Sequence, residues 1–294
     1  MELKDAGNRT ISAKCKNLCR PPGSGGLPEG ILAKTSDLHM RPLWGSFNDS
    51  FLENGFVVMV FHYDGFVDQW YDLQWASNVI HVSAMNQTKW WFAKRFLHPD
   101  IVAEYDYVFL WDEDLDIEHF DPGRYVSIIK EEELDISQPA LDPGKKYIKL
   151  KGGGRCYDNS TGPPCFGWVE MMAPVFSKAA WRCAWYLIQN DLIHGWGIDF
   201  QLGYCAQGDR KQKVGVVDAE YIVHLGVPSL GGLNHSNNSD VHTADGRSEV
   251  RRQSYTEMRI FRRRWDEAVK TDKCWVDRYA DHDRSKKKCV SGAC

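Results

Sequence analysis

The segment "YVFLWDEDLD" (107–116) places Asp112, Glu113, Asp114 and Asp116 directly after an apolar run. Asp112 and Asp114 are two positions apart, so in extended or tightly turned backbone both carboxylates can face one point. Paired oxygen ligands of this kind suit a hard divalent cation, Mg²⁺ or Mn²⁺, rather than a soft metal. The bland alternative is a solvated turn that leads into the acidic start of the next helix. A second candidate lies in "HGWGIDFQLGYC" (194–205), where Asp199 is the one acid in a glycine-rich, aromatic stretch. A carboxyl held among Trp and Phe titrates high, which suits a general base. Equally, Asp199 could cap the helical turn that follows it. His224 closes the apolar run "YIVHLG" (221–226) and could complete a cation site begun by two aspartates. A lone histidine after a strand is more often structural. "GPPCFGWVEMMAP" (162–174) presents Trp168 and Glu170 as an aromatic platform and a hydrogen-bonding acid, or else as an anchored loop with Trp168 in the core.

Strands and helices must hold these groups. "FVVMVFHYD" (56–64), "NVIHVSAM" (78–85), "YDYVFLWD" (105–112), "DISQPAL" (135–141) and "VGVVDAEYIVHLG" (214–226) read as strands. Their apolar runs are the pattern of strands buried on both faces. Helices are predicted over 88–100, with another from Pro99 to Glu104. A further helix begins at Asp121, an N-cap ahead of Pro122. Ser177 caps the next, with Trp181, Trp185, Ile188 and Leu192 at helical spacing and Gly195 and Gly197 at its end. Residues 254–269 form a basic amphipathic helix, part of a cluster of Arg247, Arg251, Arg252, Arg259, Arg262, Arg263 and Arg264. That cluster is either a solvated cationic face or a contact for an anionic ligand or acidic polymer. Alternation of strand and helix predicts an α/β sandwich with a largely parallel sheet. In such sheets ligands bind at the carboxyl ends of strands, where Asp112 and Asp114 fall.

Composition sets the outer limits. The chain has 294 residues, net charge −4 and 43% hydrophobic residues, enough for a large core, with no global charge case for nucleic acid. No 18-residue apolar run spans a membrane, and the N-terminus has no signal-peptide core. Yet nine cysteines accompany six Asn-x-Ser/Thr acceptor patterns, at Asn8, Asn48, Asn86, Asn159, Asn234 and Asn237. These point to the secretory route, so an upstream anchor is expected to be missing from this chain. Cys156 and Cys165 are expected to close the loop between them. Phosphate-loop, nucleophile-elbow, zinc-protease and C-x-x-C patterns are absent. The organisation expected is an irregular stem over 1–45, a main domain over 46–270 and a Lys- and Cys-containing tail over 271–294.

Several long blocks carry a resemblance: "NQTKWWFAKRFLHPD", "YDYVFLWDEDLDIEHFDPGRY", "ISQPALDP", "GPPCFGWVEMMAPVFS", "AWYLIQNDLIHGWGIDFQLGYCAQGD" and "VGVVDAEYIVHLG". They resemble a plant family of unknown function whose members carry the label lysine-ketoglutarate reductase trans-splicing related. That family looks like a divergent branch of the A-type (GT-A-like) glycosyltransferases, nucleotide-diphospho-sugar transferases built as an α/β/α sandwich with a mostly parallel central sheet. The resemblance implies that Asp112, Asp114 and His224 hold Mn²⁺ or Mg²⁺ against the diphosphate of a nucleotide-sugar donor, by analogy UDP-linked. It implies Asp199 as base toward a glycan or glycoprotein acceptor, in the Golgi or secretory lumen. Asp64, Lys89, Arg95, Glu113, Trp168 and Glu170 are the candidate donor-binding residues. Against the family pattern, "RPLWGSFNDSFLENGF" runs straight through where a further strand and helix are expected. The first strand of the nucleotide-binding half is therefore expected to be absent, which separates the family's function from the activity of this chain. A transferase-fold protein that binds carbohydrate without transferring it is the alternative.

Overall fold

A computed structural model describes residues 20–36, 51, 54–141, 169–226 and 242–279, with side chains from 248 onward in the last stretch. It is a mixed α/β structure. The strands are β1 (Met59–His62), β2 (Ile80–Ser83), β3 (Tyr107–Phe109), β4 (Leu115–Asp116), β5 (Ile136–Leu141), β6 (Val175–Ser177) and β7 (Val214–His224). The helices are α1 (Lys89–Phe96), α2 (Pro122–Glu131), α3 (Lys178–Leu187), α4 (Arg210–Lys213) and α5 (His242–Thr271). Strands β1 and β2 pair in parallel as one small sheet. The other five form a second sheet in the order β3-β6-β5-β7-β4.

That second sheet corrects the expectation of a largely parallel one. Only β5 and β7 pair in parallel, while β3–β6, β5–β6 and β4–β7 are antiparallel. An apolar run shows that a strand is buried but not which way it runs, so sequence pattern was silent on this point. Period-two alternation sorts the strand side chains onto two faces. Val108 and Phe176 join a core cluster with α1, α3 and α5, while Phe109 and Val175 face a second cluster built on Tyr125 and Ile129 of α2. Helices therefore cover both faces of the sheet.

The caps at Asp121 and Ser177 form as predicted, each side chain accepting the backbone N–H three residues on. The segment after Pro99 is a hydrogen-bonded turn rather than a helix. Helix α3 stops at Leu187, short of the Ile188 and Leu192 positions that its apolar spacing includes. Its last turn is finished by the buried Lys94, whose Nζ donates to the Trp185 carbonyl at 3.1 Å and lies 3.4 Å from the Trp185 ring centroid. A cation there is a second donor to a helix-end carbonyl that also accepts the Ile188 N–H at 3.3 Å. Strand β5 carries Pro139 in mid-sheet, where its missing N–H breaks the ladder. The register with β7 shifts between Pro139 and Ala140. That shift leaves Glu220 in position to accept the Asp121 N–H at 3.0 Å and to pair with Arg124 at 3.1 Å, at the start of α2.

Residues 20–36 carry two short 3₁₀ turns, Ser24–Gly26 and Glu29–Ile31, and pack against the rest of the structure. Leu27 and Ile31 are fully buried in the main core, and the Ala33 N–H donates to the Tyr186 carbonyl at 3.0 Å. Cys183 of α3 and Cys205 are joined by a disulfide. The Cys156–Cys165 pairing, Trp168 and the strand-like "YIKL" lie outside the described residues, as do all the glycosylation triplets except the exposed Asn86. No helix among the described residues is long and apolar enough to cross a membrane.

Candidate functional site

The carboxyl ends of β1 and β3 open on one cavity of about 1540 Å³. Its walls include 55–61 from the β1 side and 104–114 from the β3 side, with Lys89, Glu170, Asp199 and His224 among them. This volume exceeds the roughly 300–1,000 Å³ of a small-molecule pocket, leaving room for two ligands side by side.

Pairing of β4 with β7 sets one corner. Leu115 lies opposite His224, and the Leu225 N–H donates to the Asp114 carbonyl at 2.9 Å. The strand register thereby carries His224 to the acidic segment, and its Nε2 lies 2.9 Å from Asp114 Oδ2. Asp112 is held from another side. Its N–H donates to the Met172 carbonyl at 3.0 Å, and its Oδ1 lies 2.5 Å from Lys89 Nζ. Lys89 also donates to the carbonyls of Met171 and Met172, at 2.6 and 2.9 Å. It sits in the first turn of α1, behind the Thr88 cap. Its ammonium ties α1, the 170–172 segment and Asp112 into one unit.

Glu170 lines the same cavity. Its N–H donates to Gln138 of β5. Burial is the main reason that its carboxyl titrates above the usual range. Nearby Asp199 and Asp112 push the same way, while His224 and Lys89 oppose them. Glu170 Oε2 is buried with no hydrogen-bond partner among the described residues. Asp199 starts a 3₁₀ turn over Asp199–Cys205. Burial raises its carboxyl to about 6, against backbone hydrogen bonds and Arg262 that pull it down. The capping reading of Asp199 does not hold: Ile198 is the N-cap, no side chain caps the turn, and Asp199 is its first residue, a buried acid on the cavity wall.

Gly195 and Gly197, with φ of +68° and +100°, let the chain turn sharply just ahead of Asp199. Any Cβ on Gly195 would come within 2.6 Å of the Trp90 ring. Glu257 of α5 fixes this turn by accepting the His194 N–H and the His194 ring Nδ1, both at 2.9 Å.

Sequence reasoning named Asp112, Glu113, Asp114, Lys89, Glu170, Asp199 and His224, and all seven line this cavity. Two other candidates lie apart from it. The Arg95 guanidinium is buried and stacked 4.0 Å from the Trp91 centroid, because α1 turns that face into the core. Asp64 is exposed and accepts the Phe66 N–H at 3.0 Å, closing a turn after β1. Trp168 falls outside the described residues. Sequence reading missed Tyr63, whose hydroxyl donates to Glu113 Oε1 at 3.3 Å and which burial and Glu113 push up to about 12. Its position at the carboxyl end of β1 was the available signal. It also missed Trp196, a half-exposed ring beside Asp199.

Among the described residues, no three His, Cys, Asp or Glu groups already surround one point as a metal site would require. No curated protein and no solved structure matches this chain. The family model described as "Protein of unknown function (DUF707)" matches residues 46–271, and the chain belongs to that family.

Proposed function

We propose that this protein is a metal-dependent glycosyltransferase that moves a sugar from a nucleotide-sugar donor, UDP-linked by analogy, to a glycan or glycoprotein acceptor. The observation that carries the reading is the convergence of Asp112, Asp114, Glu170, Asp199 and His224 on one cavity at strand carboxyl ends. The α/β arrangement also supports a GT-A-like fold in which, among the described residues, no strand joins the β1–β2 sheet to the five-stranded one. Strands β1 and β3 belong to separate sheets, yet both border the same cavity.

Asp112, Asp114 and His224 would hold a divalent cation. Two carboxylates and an imidazole suit Mn²⁺, and Glu170 Oε2, which has no hydrogen-bond partner among the described residues, is a further hard oxygen at the same cavity. Bound there, the metal would neutralise charge developing on the diphosphate leaving group. Asp199 takes the proton of the acceptor hydroxyl as its oxygen bonds to the anomeric carbon and the bond to the diphosphate breaks. Burial suits Asp199 to this role, since a base titrating near 6 is ionised at neutral pH yet accepts a proton more readily than an ordinary carboxylate. Lys89 orients Asp112 and the 170–172 backbone. Secretory-lumen residence agrees with the Cys183–Cys205 disulfide.

A second reading, a sugar-binding protein without transfer, is favoured by one observation. Lys89 and His224 already pair with the two aspartates that a metal would need. Release of nucleotide from a panel of nucleotide sugars, measured with Mn²⁺ and a glycan acceptor mixture, decides between them. Transfer that Asp199→Asn abolishes supports the enzyme. Absence of release from any donor, by folded protein that still binds glycan, supports the second reading.

A further inference from the structure

Helix α5 carries a strip of which Arg251 and Met258 line this cavity and Tyr255 and Arg262 lie on the same side of the helix. Arg251, Tyr255, Met258 and Arg262 recur at i, i+4, i+7 and i+11, which puts them on one side of the helix over about 16 Å. The adjoining stripe of Ser254, Glu257, Phe261 and Trp265 is buried and anchors the helix to the core. The strip lies along the turn that holds Asp199. Trp196 meets Tyr255 edge-on at 5.0 Å between centroids, and the Arg262 guanidinium lies 5.5 Å from the Phe200 centroid. Trp196, Phe200, Arg251 and Met258 line the cavity itself.

Trp196, Phe200 and Tyr255 are 38%, 44% and 50% exposed, although Glu257 ties the turn ahead of Trp196 to α5. Apolar side chains exposed together on one surface, unlike single scattered ones, mark an interaction site. Neighbouring arginines of α5 are already engaged, Arg252 by Glu249 and Arg264 by Asp191, both at 2.6 Å. Among the described residues, Arg251 and Arg262 form no salt bridge and both are exposed, with Arg262 near enough to Asp199 to pull its carboxyl down. Around Asp199 there is thus a surface of ring faces interleaved with open guanidinium forks, on a chain whose net charge is −4.

We infer that this strip is the acceptor subsite, and that it takes a uronate-bearing glycan. The inference rests on the glycosyl-transfer reading for the word acceptor, but the binding claim stands on the strip alone. A pyranose ring has an apolar C–H face that packs on the electron-rich face of an aromatic ring. Its carboxylate matches the planar fork of arginine, which binds carboxylates bidentately. A sugar laid on Trp196 lies next to Asp199, the base that must reach its hydroxyl. Sulfated glycans share the anionic chemistry and are one arm of the test.

Calorimetric titration of the folded chain decides it. The probes are oligogalacturonate, a neutral galactose oligomer and a sulfated oligomer of equal length, with uridine diphosphate plus Mn²⁺ titrated separately. We expect oligogalacturonate to bind about tenfold more tightly than the neutral oligomer at low salt, as two exposed ion pairs allow. Arg251→Gln with Arg262→Gln should erase that preference and leave uridine diphosphate affinity unchanged. Trp196→Ala should weaken both oligosaccharides, with Trp196→Phe restoring them. Equal binding of neutral and acidic oligomers, or preference for the sulfated one, would overturn the inference. Loss of uridine diphosphate binding in the arginine variant would do the same by assigning these arginines to the donor. If uridine diphosphate binds to no form while an arginine-dependent uronate preference persists, the transfer reading falls and this subsite stands.

Discussion

Asp199 combines the two residue-scale properties on which the account depends: burial and a place on the cavity wall. Its carboxyl titrates near 6, so the base form is lost as pH falls below that value. The acidic limb of the kcat/KM profile should break near pH 6, and Asp199→Asn should abolish turnover. The same shift has a stability consequence of fixed sign. A carboxyl raised from 3.8 to about 6 is ionised earlier in the unfolded chain, so stability falls as pH rises through that window and the loss is complete above it. Removing the charge should therefore raise stability at neutral pH by up to about 3 kcal/mol, read as a higher Tm for Asp199→Asn. An unchanged or lower Tm would show that this carboxyl is not held against its ionisation. The acids Asp112, Asp114 and Asp199 were legible in sequence because each interrupts an apolar or aromatic run. Tyr63 and the His194–Glu257 clamp were not, since a partner 50 or 63 positions away leaves no local trace.

Individual elements place these side chains, and their weak points are specific. The turn before Asp199 needs φ of +68° at Gly195 and has no room for a Cβ beside Trp90. Gly195→Ala should cost about 1–3 kcal/mol of stability in denaturant unfolding, from backbone strain and overpacking together, and should lower activity with it. By contrast, Gly55→Ala meets no neighbouring atom. It carries only the strain of its φ of +78° and should cost no more than about 1–2 kcal/mol. Caps and helix faces were readable from sequence because they depend on residues three or four apart, as at Asp121 and Ser177. Strand direction was not, because pairing β6 between β3 and β5 depends on contacts distant in the chain. The early end of α3 has the same origin. Lys94, 91 positions before Trp185, donates to the last turn of a helix that apolar spacing alone would have extended.

At the scale of the molecule, separate segments are tied into one body around the cavity. Residues 20–36 pack against α3 and α5, and the Cys183–Cys205 disulfide closes a 22-residue separation between α3 and the turn that begins at Asp199. Reducing that bond should lower stability by about 3 kcal/mol, seen as a lower denaturation midpoint. An unchanged midpoint would show that packing alone fixes this corner. The central claim concerns what the converged acids hold, and one measurement meets it directly: the Tm shift produced by uridine diphosphate with and without Mn²⁺, in the wild type and in Asp114→Asn. The account predicts a rise of several degrees that needs nucleotide and Mn²⁺ together and disappears in Asp114→Asn. A folded wild-type protein whose Tm does not respond to the pair, or one whose response survives in Asp114→Asn, would contradict it.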